Sequence, residues 1–206
     1  MKPNKKMLFI GITGGVGAGK SEILNYIKKH YLCEIYMADE VAHLVKEPGT
    51  KCYRELVALL GEEILAPHGE IDKAAMAKKI FGDTMLLKQV NDIVHPAVRE
   101  YLLEHLELAR ERGDVELFFV EAALLIEAGY GPLVDEMWYI YAREDVRACR
   151  LRENRGYDEE RIKHIMENQL SEEEFRDACD FVIDNSDSLT NSYQQIDKKL
   201  EAYTWQ

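Results

Sequence analysis

Eight consecutive residues constrain this chain more than any others. Gly14-Gly-Val-Gly-Ala-Gly-Lys-Ser21 fits G-x-x-x-x-G-K-[ST] and follows the apolar run Met7–Ile12 almost directly. An amphipathic pattern opens at Lys20, with Ile23, Leu24 and Ile27 on one face. Strand, glycine turn and helix in that order open an α/β nucleotide-binding unit. The glycines permit positive φ and keep side chains from between backbone and phosphate. Successive N–H groups then form an anion nest at a helix N-terminus. Lys20 is placed to reach the β- and γ-phosphates, and the Ser21 hydroxyl to ligate Mg²⁺. The bland alternative is a glycine-rich turn with an exposed lysine; the strand before the motif and the helix after it favour nucleotide triphosphate binding.

The rest of the chain fits an α/β core interrupted by helices. Glu34–Met37 reads as a second strand, and 116–121 (ELFFVE), 136–142 (EMWYIYA) and Phe181–Ile183 as later ones. Between Asp39 and Gly113 the apolar spacing is helical almost throughout. Its stripes are Val41, Leu44 and Val45; Leu56, Leu59 and Leu60, stopped by Gly61; Met76, Ile80 and Phe81; and Leu86, Leu87 and Val90. His95-Pro96 is expected to open a long helix carrying Val98, Leu102, Leu106 and Ala109 and ended by Gly113. Arg143–Leu170 reads as a charged helix pair around Arg155-Gly-Tyr157, and Ser188 as the cap of a last helix. Continuous apolar strands alternating with helices imply a mostly parallel sheet covered on both faces.

Composition narrows the function. Twenty-six basic against 38 acidic side chains give a net charge of −12, which disfavours general nucleic-acid binding. An anionic substrate must therefore meet a local cluster of Arg, Lys and backbone N–H groups. Cys33, Cys52, Cys149 and Cys179 show no paired spacing and read as reduced structural thiols of a cytoplasmic protein. The most apolar stretch, Leu117–Ala128, carries Glu121 and Glu127 and falls short of the roughly 20 residues of a membrane span. Lys2, Lys5 and Lys6 before Met7–Ile12 resemble a signal peptide, but that apolar run is too short.

Other candidates carry two readings each. Asp39, after the second strand, can accept a hydroxyl proton or cap the next helix. Glu121, ending the ELFFVE strand, can hold Mg²⁺ or sit in an ion pair. Arg143, Arg147, Arg150, Arg152 and Arg155 suit a lid that neutralises a transferring phosphoryl group, or else pair with Glu144, Asp145 and Glu153. Arg147 and Arg150, three apart, share a helical face. His95 and Arg99 can bind a substrate phosphate, or His95 can be a core or capping residue.

Across nearly its whole length the chain resembles the dephospho-coenzyme A kinases. Ile12–Ser21 is similar to that family's T-G-G-I-G-S-G-K-S loop. Ala38–Ala42 with Val45–Gly49 is similar to D-A-D-x-I-A-R…V-x-x-P-G. Ile80-Phe81 and Ile93–Pro96 match I-F…H-P, and Leu124–Glu127 resembles P-L-L-F-E. Arg150-Leu151, Gln169 and Val182–Asn185 match the lid R-L, a later Q and V-I-x-N. Departures are Met37 for the first Asp of D-A-D, His43 for the Arg, Glu22 for a common Thr, Ala123 for the Pro, and Asn154 at the second lid arginine, with Arg155 beside it. Glu121 stands at the family's Asp position before that Pro.

The resemblance implies a P-loop kinase fold: a three-layer α/β/α core with a five-stranded parallel sheet, a helical substrate domain and a helical lid. Residues 1–38, 114–142 and 171–206 would be the core, 39–113 the acceptor-binding insertion and 143–170 the lid. It implies transfer of the ATP γ-phosphoryl to the ribose 3′-hydroxyl of dephospho-CoA. Gly15, Val16, Gly17, Ala18, Gly19, Lys20, Ser21, Glu22, Arg155 and Asn185 would hold ATP, with Asn185 near the adenine. Ser21 and Glu121 would serve Mg²⁺. Asp39 would take the hydroxyl proton, and Arg150 with Arg152 or Arg155 would close on the γ-phosphoryl. His95, Arg99, Glu121 and Glu127 would seat the acceptor. The expected assembly is a monomer or weak homo-oligomer, with no nucleic-acid or membrane partner. Two alternatives stay open on the residues: another small-molecule or nucleotide kinase of this class, and an NTP-binding module that has lost its chemistry.

Overall fold

A computed structural model describes residues 7–203; Lys2, Lys5 and Lys6 lie outside them. The strands are β1 (Leu8–Thr13), β2 (Cys33–Met37), β3 (Leu117–Glu121), β4 (Glu136–Tyr141) and β5 (Phe181–Asp184). They form one five-stranded parallel sheet in the order β2-β3-β1-β4-β5. β1 lies at the centre, with Ile10 opposite Phe119 on one side and Glu136 on the other. Every residue of β3 is buried, and all of β1 except the half-buried Leu8. That is why both strands read as unbroken apolar runs: helices cover both faces of a parallel sheet, so no side of the strand meets water. The edge strand β2 is only half-buried along its length.

Backbone approach shapes the central strand. A Cβ at Gly11 would stand 2.7 Å from Met137 Sδ and 2.8 Å from Leu125 Cδ2, and one at Gly14 would stand 2.5 Å from the Ile140 carbonyl oxygen. Aspartates fasten two strand starts. Phe9 N donates to Asp135 Oδ2 (2.9 Å) and Met137 N to Asp180 Oδ2 (2.7 Å).

The helices are α1 (Lys20–His30), α2 (Ala38–Leu44), α3 (Lys51–Leu60), α4 (Lys73–Ile80), α5 (Thr84–Arg112), α6 (Glu144–Arg155), α7 (Glu159–Glu167), α8 (Glu172–Ala178) and α9 (Leu189–Glu201). Of the described residues, Tyr36–Leu108 form one compact unit and the remainder another. In the first, Thr50 caps α3 and Asp72 caps α4. In the second, α9 is tied to α1. Tyr26 and Tyr193 stack with centroids 3.9 Å apart. Asp197 accepts from Tyr26 Oη (2.8 Å) and Tyr31 Oη (2.6 Å). Ser188 caps α9 and Gly113 closes α5 in the left-handed region, as the spacing led one to expect.

Local details differ from the sequence reading. Pro96 does not open a helix; it lies inside the 29-residue α5. An internal proline costs about 3 kcal/mol through its missing N–H and its ring clash, and burial of Val90, Val98, Leu102 and Leu106 along the same helix offsets that. Phe81 is no core residue: it stands just past α4 and is 90% exposed. A helix passed over in the sequence, α8, is opened by a capping box in which Ser171 and Glu174 bond each other's backbone N–H.

Candidate active site

The glycine loop leaves β1 and ends at the first turn of α1. Gly17 (φ 85°) and Gly19 (φ 89°) both take left-handed backbone, and Gly19 is the residue before α1. The glycines make room for more than a ligand. A Cβ at Gly15 would run into the Arg147 guanidinium, one at Gly17 would stand 3.0 Å from the Arg147 carbonyl oxygen, and one at Gly19 would meet the Asn185 amide.

Those same neighbours brace the loop. Arg147, from α6, donates through Nε to the Val16 carbonyl (3.0 Å) and through Nη2 to Gln169 Oε1. Gln169 Oε1 also accepts from Val16 N (3.3 Å). Burial holds the Arg147 guanidinium below its ordinary value. One helical turn on, Arg150 Nη1 donates to the Ala18 carbonyl (3.2 Å) and Nη2 to the Asn185 carbonyl (2.8 Å). Asn185 is 1% exposed. Its amide donates to the Ala18 carbonyl (2.7 Å) and accepts from Ser192 Oγ (2.9 Å), so the side chain is committed to the loop backbone.

Lys20 Nζ donates to the Gly14 carbonyl (2.7 Å) and lies 3.5 Å from Glu121 Oε1. Glu121 ends β3, is buried and pairs with the loop lysine, which is its ion-pair reading. Ser21 and Glu22 are exposed in the first turn of α1, where Glu22 suits the positive end of the helix dipole. The loop fits a triphosphate: a glycine cradle, a helix N-terminus and one lysine converge on it. The Ser21 hydroxyl and the Glu121 carboxylate are the hard oxygen donors Mg²⁺ takes beside substrate phosphates. Among the described residues no His, Cys, Asp and Glu side chains group into a metal cage of their own.

Asp39, His95 and Arg99 belong to the unit Tyr36–Leu108, and Glu127, Arg152 and Arg155 to the other. Asp39 is exposed within the first turn of α2, whose cap position is Met37, so it is not the helix cap that was the alternative. His95 is exposed on α5, which removes the core reading, and Arg99 is half-buried there; both line an open groove along that helix. Glu127 is exposed in the turns after β3. Arg152 pairs with Glu159, and Arg155 is exposed at the end of α6. Ser192 escaped the sequence reading. Gln169 is a landmark of the family resemblance, and the three-residue step puts Arg147 and Arg150 on one helical face; the joint hold of Arg147 and Gln169 on Val16 has no signal in the sequence. The four cysteines are free, and burial pushes the thiols of Cys33 and Cys179 up to about 11 and about 12.

The family profile described as dephospho-CoA kinase matches residues 8–191. The chain belongs to the dephospho-CoA kinase family. It is 33% identical to the dephospho-CoA kinase of Shouchella clausii over 187 residues, 91% of this chain and 94% of that one. A solved Thermus thermophilus structure superposes with a TM-score of 0.80 at 29% identity, covering 97% of this chain and 99% of the other. The dephospho-CoA kinase of Campylobacter jejuni, at 21% identity, shares the fold with a TM-score of 0.70 over 94% of this chain and 95% of its own. Among the described residues no helix is long and apolar enough to cross a membrane.

Proposed function

We propose that this chain transfers the γ-phosphoryl group of ATP to the ribose 3′-hydroxyl of dephospho-CoA, giving CoA and ADP. Membership of the family supports the reaction. The observation that carries the chemistry is the braced loop, with Lys20 resting on the Gly14 carbonyl beside Glu121.

In this reading the loop N–H groups from Gly15 to Ser21 cradle the β- and γ-phosphates, and Lys20 exchanges the Gly14 carbonyl and Glu121 for phosphate oxygens. Mg²⁺, when bound, offsets phosphate charge, with Ser21 and Glu121 as its protein-side donors. Arg150 turns from the loop carbonyl toward the transferring group, with Arg152 or Arg155 available further along α6. Asp39 takes the proton of the 3′-hydroxyl. His95, Arg99 and Glu127 help seat the acceptor, residues 39–113 forming the acceptor-binding region and 143–170 the lid. Such a transfer needs little covalent help from the protein; position and charge stabilisation supply most of the rate. The free, protonated thiols accord with work in the cytoplasm.

The deciding measurement is ADP release from Mg·ATP in a coupled assay, with and without dephospho-CoA. Release that depends on dephospho-CoA and disappears in Lys20→Ala is expected. Release that depends only on a different acceptor, or none beside tight ATP binding, would overturn the proposal.

A further inference from the structure

The Ala18 carbonyl is held from outside the glycine loop. Asn185 Nδ2 donates to it at 2.7 Å and Arg150 Nη1 at 3.2 Å. The Ala18–Gly19 peptide is trans, and in a planar trans peptide the carbonyl and the following N–H point in opposite directions. Fixing the Ala18 carbonyl therefore aims the Gly19 N–H away from Asn185. Gly19 is the residue before α1, at the end of the helix where N–H groups face an anion. Only glycine lets the amide come this close: a Cβ at Gly19 would stand 2.4 Å from Asn185 Nδ2.

The group that keeps the amide facing this way lies in α9. Asn185 is 1% exposed and Ser192 is fully buried. The backbone of Asn185 is fixed first: its N–H donates to the Tyr141 carbonyl (2.7 Å), and its carbonyl accepts from Arg150 Nη2 (2.8 Å). The side-chain amide can still turn over, and turned over it would set Oδ1 against the Ala18 carbonyl, acceptor against acceptor. Ser192 Oγ opposes that. It donates to Asn185 Oδ1 at 2.9 Å, the nearer of two acceptors for its one proton; the other is the Asp184 carbonyl at 3.1 Å. Without Ser192 a buried amide oxygen would lose this partner, which costs more than the bond itself contributes.

We propose that Ser192 and Asn185 are positioning residues for nucleotide binding: Ser192 orients the Asn185 amide, and the amide aims the Gly19 N–H at the phosphates. The family resemblance places Asn185 near the adenine; the hydrogen bonds give its side chain to the loop backbone, so it acts on the phosphate chain and not by reading the base. The inference rests on ATP binding at the loop, as proposed above, and adds the residues that set the loop beforehand. Arg150 does not replace them, because in that reading it turns toward the transferring group while Asn185 keeps the Ala18 carbonyl. The loop, Asn185 and Ser192 belong to one compact unit.

Calorimetric titrations of ATP, inorganic tripolyphosphate and AMP into wild type, Ser192→Ala, Ser192→Val and Ser192→Thr test it. Tripolyphosphate has no base, and AMP lacks the β- and γ-phosphates. Ser192→Ala should weaken ATP and tripolyphosphate by the same factor, about fivefold or more, and leave AMP within twofold of wild type. Valine and threonine are close in shape and differ in the hydroxyl, so the threonine variant should bind ATP more tightly than the valine variant. An alanine variant with Kd for ATP within twofold of wild type overturns the proposal. So does unchanged tripolyphosphate binding where ATP is weakened, AMP weakened as much as ATP, or threonine no better than valine. A wild-type protein that binds ATP and is inactive on dephospho-CoA overturns the acceptor reading alone, and one that binds no ATP overturns both.

Discussion

Replacing Arg147 separates a brace from a phosphate ligand. Its guanidinium makes two contacts: Nε to the Val16 carbonyl, and Nη2 to the Gln169 oxygen that itself takes Val16 N. Arg147→Ala removes both. Val16 and Gln169 are half-buried, so water can replace part of what is lost, and the cost lies near the lower range for hydrogen bonds to charged groups, about 1–3 kcal/mol. If the contacts hold the loop in its phosphate-ready form, that sum appears as weaker ATP binding, about 5- to 150-fold in Kd. The melting temperature should fall by roughly 2–4 °C for each kcal/mol that reaches global stability. Arg147→Lys decides the mechanism. An ammonium keeps the charge but lacks the planar fork that spans two acceptors, so it should behave like alanine. Titration of ATP into the three proteins is the assay. An alanine variant with Kd within twofold of wild type would refute the brace, and full rescue by lysine would show that Arg147 acts by charge.

Three further outcomes are expected. Asp39→Asn should lower kcat by about 100-fold or more, the scale of general-base catalysis, and leave KM for ATP nearly unchanged; near-normal kcat would remove Asp39 as the base. Gly14→Ala drives a Cβ to 2.5 Å from the Ile140 carbonyl oxygen. Strain and overpacking there should cost about 2–5 kcal/mol, read in urea melts, and a midpoint equal to wild type would show that the backbone yields. Burial pushes the phenol of Tyr139 from 10 up to about 12. The unfolded chain then loses this proton first as pH rises, so stability is full below pH 10 and declines between about 10 and 12. Tyr139→Phe should flatten part of that decline in thermal melts, and an unchanged slope would assign it to other groups.

What could be read beforehand follows from the range of each interaction. β1, β3 and β4 were legible because both faces are buried, which writes each strand as a continuous apolar run. The phosphate loop was legible because its requirements are local: left-handed glycines, then lysine and serine at the start of a helix. Ser188 and Gly113 mark helix ends for the same reason. Pro96 misled because its cost is set by one residue and its tolerance by burial along the whole of α5. The S-x-x-E signal of α8 was present at Ser171 and Glu174 and passed over among charged residues. The loop brace joins Val16 to Arg147 and Gln169. Those partners are far apart along the chain, and no spacing rule links them before the backbone is folded.

The tyrosine clasp on Asp197 has a practical consequence. α1 carries Lys20 at its first position, and its other end is held through Tyr26 and Tyr31 to α9. Beyond it, Lys199 and Tyr203 anchor to Glu136 at the start of β4. The final helix is therefore a guy-rope for the lysine at the opposite pole of α1. Deletion mutants that strip it to improve crystals or expression should be designed on the understanding that they slacken the glycine loop's lysine as well.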